Sequence, residues 1–397
     1  MTDKYPTLII KKGKELAIGR RHPWIFSGAI HNKPEGLIDG QVVRVVDYKK
    51  KHLATGHYHD GSIMVRTLTY NDEAIDQGFW NRKLKSAYNY RVSLGIVDNA
   101  DTNAYRLIHG EGDGVSGLII DIYNNNAVIQ CHSVGCYRDV KYISTALDFA
   151  YGGKIDCIYI KSKDTLPSSF TDFEEDYYIK GSPSATEIIE NGIKFSIDWE
   201  EGQKTGFFLD QRENRNLLGR FTKGKSVLNC FCYTGGFSMY ALANGATKVT
   251  SLDVSKPAME MVEKNNKLNN FTSEHNMDAV NVMHVLGDDS IAKYDVVIID
   301  PPAFAKSVKK RHNAVQAYKR LNIMALKKVN HGGYLFTFSC SQVVGPELFY
   351  NTIRAAAIET KKKIRIVHHL TQGPDHPINI YHPEGNYLKG LVLYVEG

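Results

Sequence analysis

The sequence predicts an α/β protein: a C-terminal doubly wound parallel sheet, with a small N-terminal β-barrel and a central α+β domain before it. Three observations carry this. From about residue 190, short apolar strands alternate with helix-like segments, as in parallel sheets with crossover helices. The first 70 residues instead read as short β-rich runs divided by Gly- and Asp-containing turns. Between these regions, helical and strand patterns follow one another without regular alternation. The 397 residues suffice for two or three domains. The expected boundaries are 1–72, 73–188 and 189–397.

The elements follow in order. Leu8–Ile10, Gln41–Val46 and Ser62–Arg66 are expected strands, and Lys14–Ala29 a short helix followed by a strand. From Asp72 to about Arg91, Phe79, Leu84, Ala87 and Tyr88 recur at helical spacing. The stretch Tyr105–Leu118 belongs to the central α+β domain, followed by an expected strand Ala127–Cys131. Ser226–Phe231 is a strand that breaks at Tyr233-Thr-Gly-Gly236, before a helix from Phe237 to Asn244. Thr247–Asp253 is the next strand, and Pro257 opens a helix at a favoured first-turn position. Tyr294–Asp300 reads as a buried strand stopped by Pro301-Pro302. A helix around Arg320–Lys328 is expected to end near Gly332-Gly333, with the strand Tyr334–Ser339 directly after it. No internal repeat is visible.

Composition narrows the class. With 43% hydrophobic and 23% charged residues, 33 Gly and 12 Pro, the chain is neither disordered nor collagenous. No run approaches the ~18 apolar residues of a membrane span. The start Met1–Pro6 lacks an apolar core, so no secretory signal is expected. Six irregularly spaced cysteines without a C-x-x-C pair suggest neither a disulfide framework nor zinc, and no metal is expected. A cytoplasmic location follows as the expectation. The net charge of +6 is unevenly spread: +6 over residues 1–70, −7 over 71–190 and +7 over 191–397. Basic surface attracts phosphate backbones, which makes nucleic acid a candidate partner; a solvated mixed surface is the alternative.

Four candidates fall at the expected strand ends, where ligands of open α/β sheets bind. Asn229–Phe237 carries Gly235-Gly236 at a strand-to-helix turn, where a ligand approaches the backbone closely. The turn is not G-x-G-x-x-G, which disfavours a dinucleotide. Asp253 ends the next strand, where a carboxylate can accept from both ribose hydroxyls; a helix N-cap is the alternative. Asp278 could accept from an adenine amine, or be an ordinary exposed loop residue. Together these describe a pocket for a nucleoside without pyrophosphate, which S-adenosylmethionine fits. Asp300-Pro-Pro-Ala-Phe304 makes a rigid loop suited to a planar amine-bearing base, with Phe304 placed to stack on it. Cys340, in Thr337-Phe-Ser-Cys-Ser341, follows a buried strand on the same rim. A thiolate there could add to C6 of a pyrimidine and make C5 nucleophilic. Cys230 and Cys232 are explained by packing.

The order of Lys204–Arg212, Asn229–Phe237, Asp300–Phe304, Thr337–Ser341 and Asp375-His-Pro…Tyr381-His-Pro-Glu-Gly-Asn-Tyr-Leu-Lys-Gly390 resembles the bacterial large-subunit ribosomal RNA 5-cytosine methyltransferases. These are class I, Rossmann-like S-adenosylmethionine enzymes with an N-terminal PUA domain. Lys14–Ala29, with its core Arg21-His-Pro-Trp-Ile-Phe-Ser-Gly28, resembles the start of that domain, and the similarity spans nearly the whole chain. The resemblance implies that Cys340 is the covalent nucleophile and that Asp300 positions the cytosine edge. It implies a cofactor set of Phe208, Asp210, Gln211, Asn229, Phe231, Tyr233, Gly235, Asp253, Ser255, Asp278, Ala279 and Asp300. For the RNA it implies Arg20, Arg21, Phe304, Lys306, Lys309, Lys310 and Arg311. Many RNA 5-cytosine methyltransferases carry a second cysteine that assists product release; Ala303 stands in that place here. The partner implied is large-subunit ribosomal RNA, with no membrane partner and a homodimer left open. Two other functions remain. One is methylation of another base, such as guanine, with Cys340 structural. The other is a non-catalytic RNA-binding assembly factor.

Overall fold

The computed structural model describes residues 4–170, 175–182 and 187–396, so Met1–Asp3 of the chain's start lie outside it. The chain divides into two compact units. One holds Met1–Thr186, Asp198–Gly206 and Pro374–Gly385; the other holds Glu187–Ile197, Phe207–Gly373 and Asn386–Gly397.

In the first unit, a six-stranded sheet runs in the order Trp24–Phe26, Ile63–Thr69, His52–Tyr58, Val42–Val46, Thr7–Ile10 and Ile30–Asn32. The strand His52–Tyr58 lay outside the expected runs. Its interior residues Ala54–Tyr58 are all buried, including Thr55 and His57, so the apolar–polar alternation that betrays a strand is missing. His57 donates through Nε2 to Asp139 Oδ2 at 3.0 Å, and its ring lies where any Cβ on Gly135 would collide at 2.2 Å. Burial opposes a charged imidazole, but Asp139 and the Cys136 side chain outweigh it and push the His57 pKa up to about 9. The folded value exceeds the unfolded value of about 6.5. The stabilisation is therefore fully present below about pH 6.5 and lost as pH rises through 9, up to about 3 kcal/mol. Urea unfolding followed by the fluorescence of Trp24 and Trp80 is expected to show this loss in the wild type and not in His57→Gln. Equal pH slopes in the two proteins would remove the ion pair from the account.

A five-stranded sheet follows, in the order Tyr177–Lys180, Cys157–Ile160, Asn126–Cys131, Leu118–Tyr123 and Ala104–His109. The helix before it spans Gln77–Ser93. It starts later than Asp72 because Asp76 caps it, its side chain accepting from the Phe79 amide at 2.9 Å.

The second unit is built on a seven-stranded sheet, ordered Glu274–Ala279, Lys248–Asp253, Ser226–Cys230, Tyr294–Ile299, Val329–Ser339, Lys389–Glu396 and Lys363–Thr371. The first five are mutually parallel, as expected of a doubly wound sheet. Lys389–Glu396, which lay outside the expected runs, is antiparallel to both neighbours. Its residues Leu391–Leu393 and Val395 are buried and Tyr394 is half-buried. Central strands are buried on both faces: Val296, Val297, Ile298 and Ile299 are all 0% exposed. The expected helix around Arg320–Lys328 is the second half of a 17-residue helix, Arg311–Lys327. Gly332 and Gly333 do not end it. They lie inside the strand Val329–Ser339, where the register with Tyr294–Ile299 shifts. A bulge uses glycine for the same reason a helix end does: Gly332 has φ +75°.

Candidate active site

Five parallel strands end on one edge of the sheet, and the chain order reverses between Ser226–Cys230 and Tyr294–Ile299. That edge carries, in order across it, Asp278, Asp253, the loop Phe231–Gly235, Asp300 and Cys340.

The loop after Ser226–Cys230 is contorted. Phe231, Tyr233 and Gly235 have φ of +59°, +48° and +80°, in the left-handed region that costs non-glycine residues about 1 kcal/mol or more each. Gly235 cannot be relieved of this duty, since a Cβ there would lie 3.1 Å from both Val262 methyls. Asp253 holds the conformation from the neighbouring strand: Oδ2 accepts from the Tyr233 amide at 3.0 Å and Oδ1 from the Ser255 amide at 3.1 Å. Asp253 is not the cap of the following helix. Ser255 is, its hydroxyl accepting from the Ala258 amide. The half-buried Asp253 carboxylate keeps outward lone pairs for hydroxyl donors. In register with it, Asp278 pairs with Leu252 and Ala279 with Asp253, both exposed. Asp278 stands on a strand, not in a loop.

Asn229 is placed differently from its expected role. Its side chain is buried and donates to Ser238 Oγ at 2.9 Å, which meets Ser251 Oγ at 2.6 Å, which meets His275 Nε2 at 2.8 Å. This chain fastens three strands to the helix Gly236–Ala243. Cys230 and Cys232 are also buried, and burial pushes both thiols up, as packing roles require.

The segment Phe207–Arg212 is fixed from below. Arg215, 2% exposed, pairs with both oxygens of the fully buried Glu190, at 2.8 and 2.7 Å, and donates through Nη1 to the Phe208 carbonyl at 2.9 Å. The Phe208 ring meets Tyr233 edge-on at 5.2 Å. Gln211 Nε2 donates to Asp300 Oδ2 at 2.8 Å, and Asn214 Nδ2 to Gln211 Oε1 at 2.6 Å. The Asp210 carboxylate accepts from the Tyr387 hydroxyl at 2.6 Å. The structure thus gathers Phe208, Gln211, Tyr233 and Asp300.

At the far end of the rim, Cys340 is partly exposed and forms no disulfide. Tyr318, on the helix Arg311–Lys327, is fully buried and lies within range of the charges of both Cys340 and Asp300. Burial pushes its phenol up to about 12, and the charges of Cys340 and Asp300 add to that. Phe304 is half-buried with its ring 4.7 Å from Tyr318, so one face is already covered. Lys306, Lys309, Lys310 and Arg311 are exposed along the turn and helix start that follow. Arg20 and Arg21 are exposed and belong to the first unit. A cavity of about 650 Å³ lined by Thr250, Leu252, Asn276, Asp278, Val285 and Tyr294 reaches Asp278. It reaches none of Asp253, Asp300 and Cys340.

Sequence reasoning singled out neither Glu190, Arg215, Tyr387 nor Lys389. The last two stood in a recognised motif, but only their place opposite Asp210 and Ser339 shows what they touch. Glu190 and Arg215 lie on separate elements, and nothing local in the sequence links them.

The model of the S-adenosylmethionine-dependent methyltransferases matches residues 170–388, and that of a PUA-like domain matches residues 8–70. The chain is 38% identical over 398 residues to ribosomal RNA large subunit methyltransferase I of Tolumonas auensis, covering 98% of both chains. It is 36% identical to the protein of that name from Klebsiella pneumoniae, covering 100% of each. Its fold is that of a structure described as a SAM-dependent methyltransferase from Streptococcus mutans, with TM-score 0.83 at 23% identity and 98% and 100% coverage. By these matches the chain belongs to the S-adenosylmethionine-dependent methyltransferases with a PUA-like domain, in the group of the ribosomal RNA large subunit methyltransferase I proteins.

Proposed function

We propose that this chain methylates C5 of a cytosine in large-subunit ribosomal RNA, with Cys340 as the covalent nucleophile. The observation that carries the reading is the partly exposed Cys340 on one strand-end rim with Asp300. The relatives' names supply the RNA, and the basic turn Lys306–Arg311 beside the same loop suits its phosphates. In the same proposal, residues 1–72 form the PUA-like domain, 73–188 a central domain and 189–397 the methyltransferase domain.

The donor set suits S-adenosylmethionine. Asp253 presents acceptors for ribose hydroxyls, Asp278 and Ala279 stand beside it, and Val254, 70% exposed, offers apolar surface. The tight Phe231–Gly235 loop lacks the glycine fingerprint of a pyrophosphate site. When bound, S-adenosylmethionine supplies an electrophilic methyl group. Asp300, oriented by Gln211, accepts from the cytosine amino edge and fixes the base. The Cys340 thiolate adds to C6, and the electron density it contributes makes C5 the nucleophile. Loss of the C5 proton then lets the Sγ–C6 bond break and the ring double bond return.

The deciding experiment is transfer of labelled methyl groups to unmodified large-subunit RNA, followed by nucleoside analysis. Label in 5-methylcytidine is expected; label in a guanosine product would overturn the reading. Asp253→Ala is expected to raise the S-adenosylmethionine Kd by about 10- to 100-fold in calorimetric titration, the worth of charge-assisted hydrogen bonds. A Kd within twofold of wild type would exclude Asp253 from the ribose.

A further inference from the structure

We propose that Lys389 is a positioning residue that holds Cys340 as a thiolate by lying against it as its counter-cation. The inference rests on the reading of Cys340 as nucleophile and adds the group that prepares it. Lys389 opens the strand that runs antiparallel to Val329–Ser339, and its register partner is Ser339, the residue before Cys340. Its side chain then reaches past Cys340 to the residue after it, Nζ donating to the Ser341 carbonyl at 2.5 Å. Lys389 thus holds both neighbours of Cys340, Ser339 by backbone pairing and Ser341 through its ammonium, and Cys340 is bracketed between them. Ser341 is itself immobilised, its hydroxyl donating to the Ala305 carbonyl at 2.9 Å, so the bracket is rigid and tied to the Asp300–Phe304 loop.

Lys389 is only 2% exposed, an unusual place for an ammonium whose acceptor is a neutral carbonyl. Burying such a group is costly unless an anion lies beside it. Burial lowers its pKa to about 8, and the negative charge of Cys340 pulls the other way. The remaining titratable groups at this corner are Tyr318 from the helix Arg311–Lys327 and Asp300 after Tyr294–Ile299. Tyr318 stays neutral at working pH, its phenol pushed up to about 12. An ionised Asp300 works against a second anion, which makes the cation at Lys389 the more necessary. In the pair, the proton resides on Nζ and the electron pair on Sγ. That electron pair forms the Sγ–C6 bond, and it returns to Sγ when the same bond breaks. The C5 proton leaves to water, and Lys389 ends the cycle as it began.

The test is the pH dependence of iodoacetamide alkylation of Cys340 in the full-length protein, read on the Cys340 peptide by mass spectrometry. The wild-type midpoint is expected about one unit or more below the ordinary thiol value of about 8.5. Lys389→Met is expected to raise that midpoint by about one unit, slowing alkylation at pH 7 about tenfold, while Lys389→Arg keeps it low. A lysine that merely packs would change the melting temperature and leave the midpoint in place. A wild-type midpoint at or above 8.5 overturns the proposal without any variant, as does a Lys389→Met profile that superimposes on wild type. If the midpoint shift appears but wild type makes no 5-methylcytidine, the ion pair stands and its use in C5 chemistry falls. If 5-methylcytidine forms and the midpoint ignores Lys389, the C5 reading stands and the pairing falls.

Discussion

Cys340→Ala is expected to lower methyl transfer to unmodified large-subunit ribosomal RNA by about 10³-fold or more, with S-adenosylmethionine affinity within about twofold of wild type. The size follows from removing a nucleophile whose bond to the substrate creates the reacting centre, rather than a group that only strengthens binding. The selectivity follows from position. Cys340 ends the strand Val329–Ser339, whereas Asp253 and Asp278 end strands on the other side of Ser226–Cys230. The fold has little reason to notice the change, because Cys340 is partly exposed and the neighbouring Ser339 and Ser341 carry the burial. Labelled-methyl transfer and calorimetric titration on the same preparation measure both quantities. Activity within tenfold of wild type would make Cys340 structural and return the question to which base is modified.

The second large effect is on stability. Arg215→Met or Glu190→Gln is expected to cost about 3–5 kcal/mol in the second unit, because each leaves a buried charge without its partner. Arg215 and Glu190 are 2% and 0% exposed, and their paired hydrogen bonds join the hairpin Glu187–Ser196 to the helix Arg212–Gly219. The third donor of Arg215 holds the Phe208 carbonyl, so the segment Phe207–Arg212 loosens with the pair. Removing both charges in Arg215→Met/Glu190→Leu is expected to cost less than either single change, since no orphaned charge remains. Tryptophan fluorescence cannot follow this, because Trp24, Trp80 and Trp199 all belong to the first unit. Amide hydrogen exchange in peptides covering 187–197 and 207–219 reports it directly. Protection unchanged to within about 1 kcal/mol would show that water or another partner replaces the lost group.

The alternation of strands and helices after residue 190, and the acids and cysteine that end those strands, were legible because parallel strands carry near-continuous apolar runs that stop at the ligand edge. Asp253, Asp300 and Cys340 are found on that edge by counting along the sequence. The strand His52–Tyr58 was hidden because its buried residues include a threonine and a histidine, and the partner of His57, Asp139, lies 82 residues further along the chain. Lys389–Glu396 was not among the expected strands, and its antiparallel direction is not local information, because side-chain period is the same for parallel and antiparallel strands.

By itself, the sequence determined the four central strands of the sheet, their ligand edge and the residue types that stand there, since each depends on local pattern and on where apolar runs end. Tertiary structure alone decided that Asn229 turns inward to Ser238, that Arg215 finds Glu190, that Gln211 meets Asp300, and that Lys389 reaches past Cys340. These are pairings between groups 9 to 89 residues apart. A buried polar side chain must find some partner, but which one is settled only when the strands have taken their order and register.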